Sequence, residues 1–254
     1  MSLLGRLRRK ARYSTDNCRI YAIGDVHGCF PLLVSLLQLI ERDQRARPPL
    51  ETHVVLLGDY IDRGPQSREV CELLQAMEGS AYFHCLKGNH EETMLQVLKG
   101  NRMALRFWLK YGGEETLLSW GVDQGLIERA YGSEGSQWQL IEAFQAAVSP
   151  PIIQWMTALP SLHRHGDYLF AHAGIRPRFR LDEQTDEDLL WIREPFLSSK
   201  ARHPWRVVHG HSQSETAQIL HNRIGIDTGA YRTGMLTAIG IEDDDAWSIE
   251  AKAR

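Results

Sequence analysis

Five short polar clusters constrain this chain more than any other feature. They read Gly24-Asp25-Val26-His27-Gly28, Gly58-Asp59-Tyr60-Ile61-Asp62-Arg63-Gly64, Gly88-Asn89-His90-Glu91, His172-Ala173-Gly174 and His209-Gly210-His211. The first three directly follow apolar runs at 19–23, 53–57 and 82–86, which read as buried strands. In an α/β sheet the loops beyond the carboxyl ends of strands converge on one crevice, so side chains distant in sequence can meet there. Glycines in such loops let the backbone turn sharply and approach a ligand closely.

Between these strands the spacing is helical. Residues 32–40 and 68–77 read as helices, and a third begins near Glu91. This βαβα opening predicts an α/β layer with right-handed crossovers. From about 96 to 160 the apolar spacing stays helical, broken by Gly112, Gly113, Gly121, Gly125, Gly132 and Gly135. That pattern predicts a helical insertion over one edge of the core. Strand character returns at 168–171, 206–209, 219–220, 224–226, 236–241 and 246–250, and the last segments suggest an antiparallel meander. With no repeat or linker in view, residues 18–254 are expected to form a single domain. Residues 1–17, carrying Arg6, Arg8, Arg9, Lys10 and Arg12, are expected to form a flexible basic tail.

The spacing within the clusters makes chemical sense. Asp25 and His27 are two apart, so in extended backbone both leave one face and can grip one cation. Asp59 has two oxygens and can bridge. Asn89 and His90 are adjacent and point in opposite directions, which leaves one for metal and one for substrate. His209 and His211 share a face, so either could be a ligand; the one after glycine, His211, is preferred, and His209 becomes a supporting or core residue. Asp, His and Asn without thiolate suit Mn²⁺, Fe or Zn²⁺. Two such ions would leave net positive charge for a phosphate dianion and acidify bound water. Glu91 reads as a helix N-terminal charge, Cys29 as a small packed residue, and the Asp227 and Tyr231 loop as a turn with no functional requirement.

Composition narrows the remaining classes. A net charge of -3 from 32 acidic and 29 basic residues gives no reason to expect nucleic-acid or membrane binding. Four cysteines without a CxxC pair are no disulfide framework, and a reducing cytoplasm is the simplest home. The longest apolar run, 30–40, is too short to span a bilayer. Neither GxxxxGK[ST] nor a strand-following GxGxxG is present, which argues against a nucleotide-binding or kinase-type protein. An adaptor that has lost catalysis would lack one of Asp25, Asp59, Asn89 or His90, and all four are there.

GDVHG, GDYIDRG, GNHE, HAG and HGH together resemble the signature blocks of the calcineurin-like metallophosphoesterases, within them the phosphoprotein phosphatase branch and its bacterial and phage Ser/Thr phosphatases. The later IDTGAYRTGMLTAI segment is similar too. The resemblance implies an α/β fold, a four-layer αββα sandwich with a helical insertion. It implies two divalent ions, Mn²⁺ foremost: one held by Asp25, His27 and Asp59, the other by Asp59, Asn89, His172 and His211. His90, oriented by Asp62, would be the catalytic acid; Arg63 and Arg193, with Asn89, would bind phosphate oxygens. The implied activity is Ser/Thr protein phosphatase hydrolysis by a metal-bridging hydroxide, on a phosphoprotein or small phosphoester. A dinucleoside polyphosphate hydrolase is the alternative within the same superfamily.

Overall fold

A computed structural model describes residues 12–253. Two five-stranded mixed sheets lie face to face. The first sheet contains β1 (Cys18–Ile23), β2 (Glu51–Leu56), β3 (Phe83–Cys85), β9 (Met235–Glu242) and β10 (Asp245–Lys252), in the order β10-β9-β1-β2-β3. The second contains β4 (Leu162–His165), β5 (Tyr168–Ala171), β6 (Arg206–His209), β7 (Gln218–Ile219) and β8 (Arg223–Gly225), in the order β4-β5-β6-β8-β7. β1, β2 and β3 run parallel, joined by α1 (Phe30–Ala46) and α2 (Ser67–Ala76), as the βαβα opening predicts.

Alternation along the strands divides the core into three apolar layers. Ile20, Ala22, Val55, Leu57, Phe170, Val208 and Ile239 fill the space between the sheets. Tyr21, Ile23 and Leu56 point the other way, against α1, α2, α3 (Asn89–Leu98) and the helices after it. Those are α4 (Arg102–Lys110), α5 (Gly113–Ser119), α6 (Gln124–Ala130), α7 (Glu134–Ala147) and α8 (Pro150–Ala158), where an insertion is expected. The outer face of the second sheet is covered thinly, by α9 (Asp186–Trp191) and the Phe196 segment over Leu169 and Val207. The layering is αββα, and α10 (Ala230–Thr233) is a single turn before β9.

Three expectations need correction. The late strands do not form one meander: β6 and β8 are parallel, and the β9–β10 hairpin crosses to the first sheet, where β9 pairs antiparallel with β1. β4 escapes a hydropathy reading because its sequence is LHRH. Of the expected tail, residues 1–11 lie outside the described residues, but 12–17 are pinned. The Tyr13 ring is buried and its hydroxyl donates to the His221 carbonyl, while Ser14 N–H donates to Asp167 and Thr15 N–H to Asp243. A tyrosine that can bury its ring and satisfy its hydroxyl holds the segment against the sheets.

Candidate active site

The cleft opens where the carboxyl ends of strands from both sheets meet. The loop after β1 carries Asp25 and His27, that after β2 carries Asp59, Asp62 and Arg63, and the start of α3 carries Asn89 and His90. The second sheet contributes His172 after β5 and His211 after β6. The loops are locked together by backbone bonds: Val26 and His27 N–H both donate to the Asp59 carbonyl, at 3.0 and 2.9 Å. Gly28 is packed so tightly that a Cβ would lie 2.4 Å from the Gly64 carbonyl oxygen, and its φ of +62° already excludes most side chains. His27, Asp59, Asp62, Arg63 and His211 all take positive φ although none is glycine. Left-handed non-glycine backbone is uncommon and costly, and its concentration here marks a functional site.

Asp59 stands at the centre. One of its oxygens is 3.6 Å from His27 Nε2, and the other is 3.4 Å from His172 Nε2. Donor atoms of His27, Asp59 and His90, and again of Asp59, His172 and His211, come within 4.8 Å of one another. Asn89 Oδ1 lies 2.8 Å from His172 Nε2 and 2.9 Å from His211 Nδ1. Asp25 sits beside these two sets, both oxygens accepting the His211 backbone N–H at 3.2 and 3.0 Å. His209, by contrast, turns away: its Nε2 accepts from Arg223 and its ring packs on Phe196.

The donor set fits cations. His27 and His172 donate their Nδ1–H to the carbonyls of Ile61 and Leu57, which leaves each Nε2 with a lone pair aimed at Asp59. Burial lowers the pKa of both rings, so neither gains a second proton near neutrality. Lone pairs therefore face lone pairs, an arrangement that a divalent ion satisfies. The carboxylates agree. Burial, then Asp227 and Asp59, hold the Asp25 carboxyl well above its usual range. Burial pushes Asp227 up to about 6, with Asp59 adding to it against the Gly229 N–H, and Asp227 Oδ2 has no hydrogen-bond partner. For Asp59 burial also opposes ionisation, but His172, His90, His27 and His211 outweigh it and its carboxyl lies below the usual range.

Beside the cage stands an oriented histidine. His90 Nδ1 donates to Asp62 Oδ2 at 2.5 Å, and Asp62 is itself held by Trp108 Nε1 at 2.7 Å and by the Thr116 hydroxyl. Burial disfavours the His90 cation, yet Asp59 and the Asp62 hydrogen bond prevail and its pKa is raised. Arg63 reaches over both rings, Nη1 to His27 Nε2 at 2.9 Å and Nη2 to His90 Nε2 at 3.1 Å, with Tyr231 stacked 4.9 Å from its guanidinium. Arg193 lies across a cleft of about 460 Å³, whose rim is the partly exposed aromatic group Phe107, Tyr111 and Trp191.

The cleft thus brings together all ten expected residues: Asp25, His27, Asp59, Asp62, Arg63, Asn89, His90, His172 and His211, with Arg193 on its wall. Other contributors were not assigned a role from the sequence. Trp108 and Thr116 come from the insertion. Asp227 and Tyr231, read as a plain turn, belong to the cleft, and the DTGAY segment beside the other motifs was the available signal. Glu91 does more than charge a helix: its carboxylate accepts the N–H groups of Gly88, Asp59 and Tyr60, each at 2.8 Å, which clamps the second loop to the third. Burial and Asp59 raise that carboxyl to about 7.

The chain is similar to known proteins along most of its length. An asymmetrical bis(5'-nucleosyl)-tetraphosphatase PrpE from Bacillus velezensis is 23% identical over 247 residues, spanning 90% of this chain and 91% of the relative. Serine/threonine-protein phosphatase 1 from Salmonella typhimurium is 28% identical over 244 residues, 91% of this chain and 96% of the relative. Among solved structures, that of a protein described as a putative diadenosine tetraphosphatase superposes with a TM-score of 0.65 at 20% identity, covering 95% of this chain and 97% of that one. The model of the calcineurin-like phosphoesterase family matches residues 18–235, which include every loop of the cleft. With its cluster of metal-type donors, its αββα layers and that match, the chain belongs to the calcineurin-like phosphoesterases.

Proposed function

We infer that the protein is a metal-dependent phosphomonoesterase acting on phosphoserine and phosphothreonine side chains. Two divalent ions would be held by Asp25, His27 and Asp59, and by Asp59, Asn89, His172 and His211. When bound, they supply an acidified water as nucleophile and positive charge against the phosphate. Arg63, Arg193 and the Asn89 amide bind the equatorial oxygens, the arginines through charge-assisted hydrogen bonds. His90 gives a proton to the departing oxygen, and Asp62 keeps the ring aimed. The observation that carries this reading is the buried Asp62–His90 pair at 2.5 Å, fixed by Trp108 and Thr116. A serine or threonine alkoxide is a poor leaving group and needs a positioned acid, whereas a nucleotide phosphate leaves readily without one.

A second reading has its own support. Phe107, Tyr111 and Trp191 present flat, partly exposed rings beside Arg193, and a nucleobase could stack there. One relative is named for bis(5'-nucleosyl)-tetraphosphate cleavage, so a dinucleoside polyphosphate hydrolase is the alternative. The test is activity of the metal-reconstituted protein, side by side, on a phosphoserine peptide, a phosphotyrosine peptide, an aryl phosphate and diadenosine tetraphosphate. The first reading expects a higher kcat/KM on the phosphoserine peptide than on the dinucleotide. The reverse order would assign the protein to the second.

A further inference from the structure

At the far end of the sheets from the cleft lies another group of metal-type donors. Cys18 opens β1, His53 lies in β2 and His165 closes β4. Cys18 Sγ, one nitrogen of His53 and one of His165 come within 4.8 Å of one another. Seven residues of extended chain separate Cys18 from Asp25, roughly 23 Å, so the two groups are independent. His84 and His163 extend the cluster: His53 Nδ1 is 3.2 Å from His84 Nε2, and the His84 and His163 rings stack at 4.1 Å. Glu51 Oε1 is 3.0 Å from His53 Nε2.

These positions share strand faces with Ile20, Val55, Leu86 and Phe170, which fill the core between the sheets. Packing alone would be served by apolar side chains. Four imidazoles crowd together here instead: the His53 ring lies 4.4 Å from that of His165 and 5.5 Å from that of His84. His163 Nε2 is buried with no hydrogen-bond partner. A cavity of about 200 Å³ borders His84 and His163.

We propose that Cys18, His53 and His165 form a second type of metal site, binding one borderline-soft divalent ion such as Zn²⁺, with water as the fourth ligand. Thiolate with imidazole is a zinc-type donor set, unlike the oxygen and nitrogen set of the cleft. Zinc–ligand distances place donors roughly 3.5 Å apart, within reach of side-chain adjustment. On binding, the Cys18 thiol releases its proton to solvent and the sulfur bonds to the ion; no electron transfer is involved. The ion ties β1 and β2 of one sheet to β4 of the other, so it acts on stability and leaves turnover alone.

Cobalt(II) is the probe, because a thiolate ligand gives it a near-ultraviolet charge-transfer band that the cysteine-free cage of the cleft cannot produce. The full-length protein titrated with Co²⁺ should show this band, and Zn²⁺ should abolish it. Cys18→Ser and His165→Gln should each lose the band and about one equivalent of bound metal, while aryl phosphatase activity is unchanged. Cys29→Ser should keep the band. His165 is only partly buried, so its variant remains informative if Cys18→Ser fails to fold. A missing band in the wild type, or a band that survives in His165→Gln with equal metal content, overturns the proposal.

Discussion

Asp62 shows how a single side chain can join fold and chemistry. It is fully buried, yet each oxygen has a donor, from His90 and Trp108 on one and Thr116 on the other. A buried carboxylate is tolerated only when it is hydrogen-bonded in this way, and the reward is an imidazole that cannot rotate. Replacing His90 by Asn should lower kcat on a phosphoserine peptide by roughly 10²- to 10⁴-fold, the range for a lost general acid. The loss on an activated aryl phosphate should be far smaller, because that leaving group departs without a proton. Equal losses on the two substrates would remove His90 from the acid role. The donor residues gathered in the cleft were legible in the sequence because each lies in a short motif directly after a strand. Glu91, Asp227, Trp108 and Thr116 were not, because their importance comes from partners 31 to 54 positions away or from a neighbouring carboxylate.

At the scale of elements, α4 and α5 matter because they reach back to the site. Trp108 and Thr116 lie on these two helices, and Gly112 between them accepts the Arg63 backbone N–H through its carbonyl at 3.0 Å. The start of α4 is held by Asn101, whose side-chain oxygen accepts from the N–H of Met103 and of Ala104 at 3.0 and 3.1 Å. Asn101→Ala should cost about 1 kcal/mol, the usual value of an N-cap, seen as a lower denaturant midpoint with an unchanged slope. A loss near zero would mean that packing of Leu105 and Trp108 alone holds the helix. The helices and parallel strands were legible because their periodicity is local. Sheet membership was not: β9 and β10 have ordinary strand patterns, and only their pairing with β1 places them in the first sheet. The strand LHRH stayed hidden because histidines occupy its inward positions.

For the molecule as a whole, the buried ionisable groups make stability depend on pH. His163 has a folded pKa of about 4 against an ordinary 6.5, so the unfolded chain takes up its proton first as pH falls. Its contribution is full above 6.5 and is lost progressively towards 4. His84 and His165, also lowered, act in the same direction. Glu91, raised to about 7, acts oppositely: the folded state holds its proton longer, so its contribution is lost as pH rises through that value. Thermal midpoints of the chelator-treated protein between pH 4 and 7 should therefore separate the two when wild type is compared with His163→Leu. The variant should show a smaller fall on acidification, and parallel profiles would contradict the burial of a neutral His163.

The central claim is that loops from two sheets assemble one cage for two cations. Anomalous scattering from crystals grown with Mn²⁺ tests it most directly. The expected map has two peaks in the cleft, one touching Asp25, His27 and Asp59, the other Asp59, Asn89, His172 and His211. A cleft with no ordered peak, in crystals whose other manganese sites are plainly filled, would contradict it.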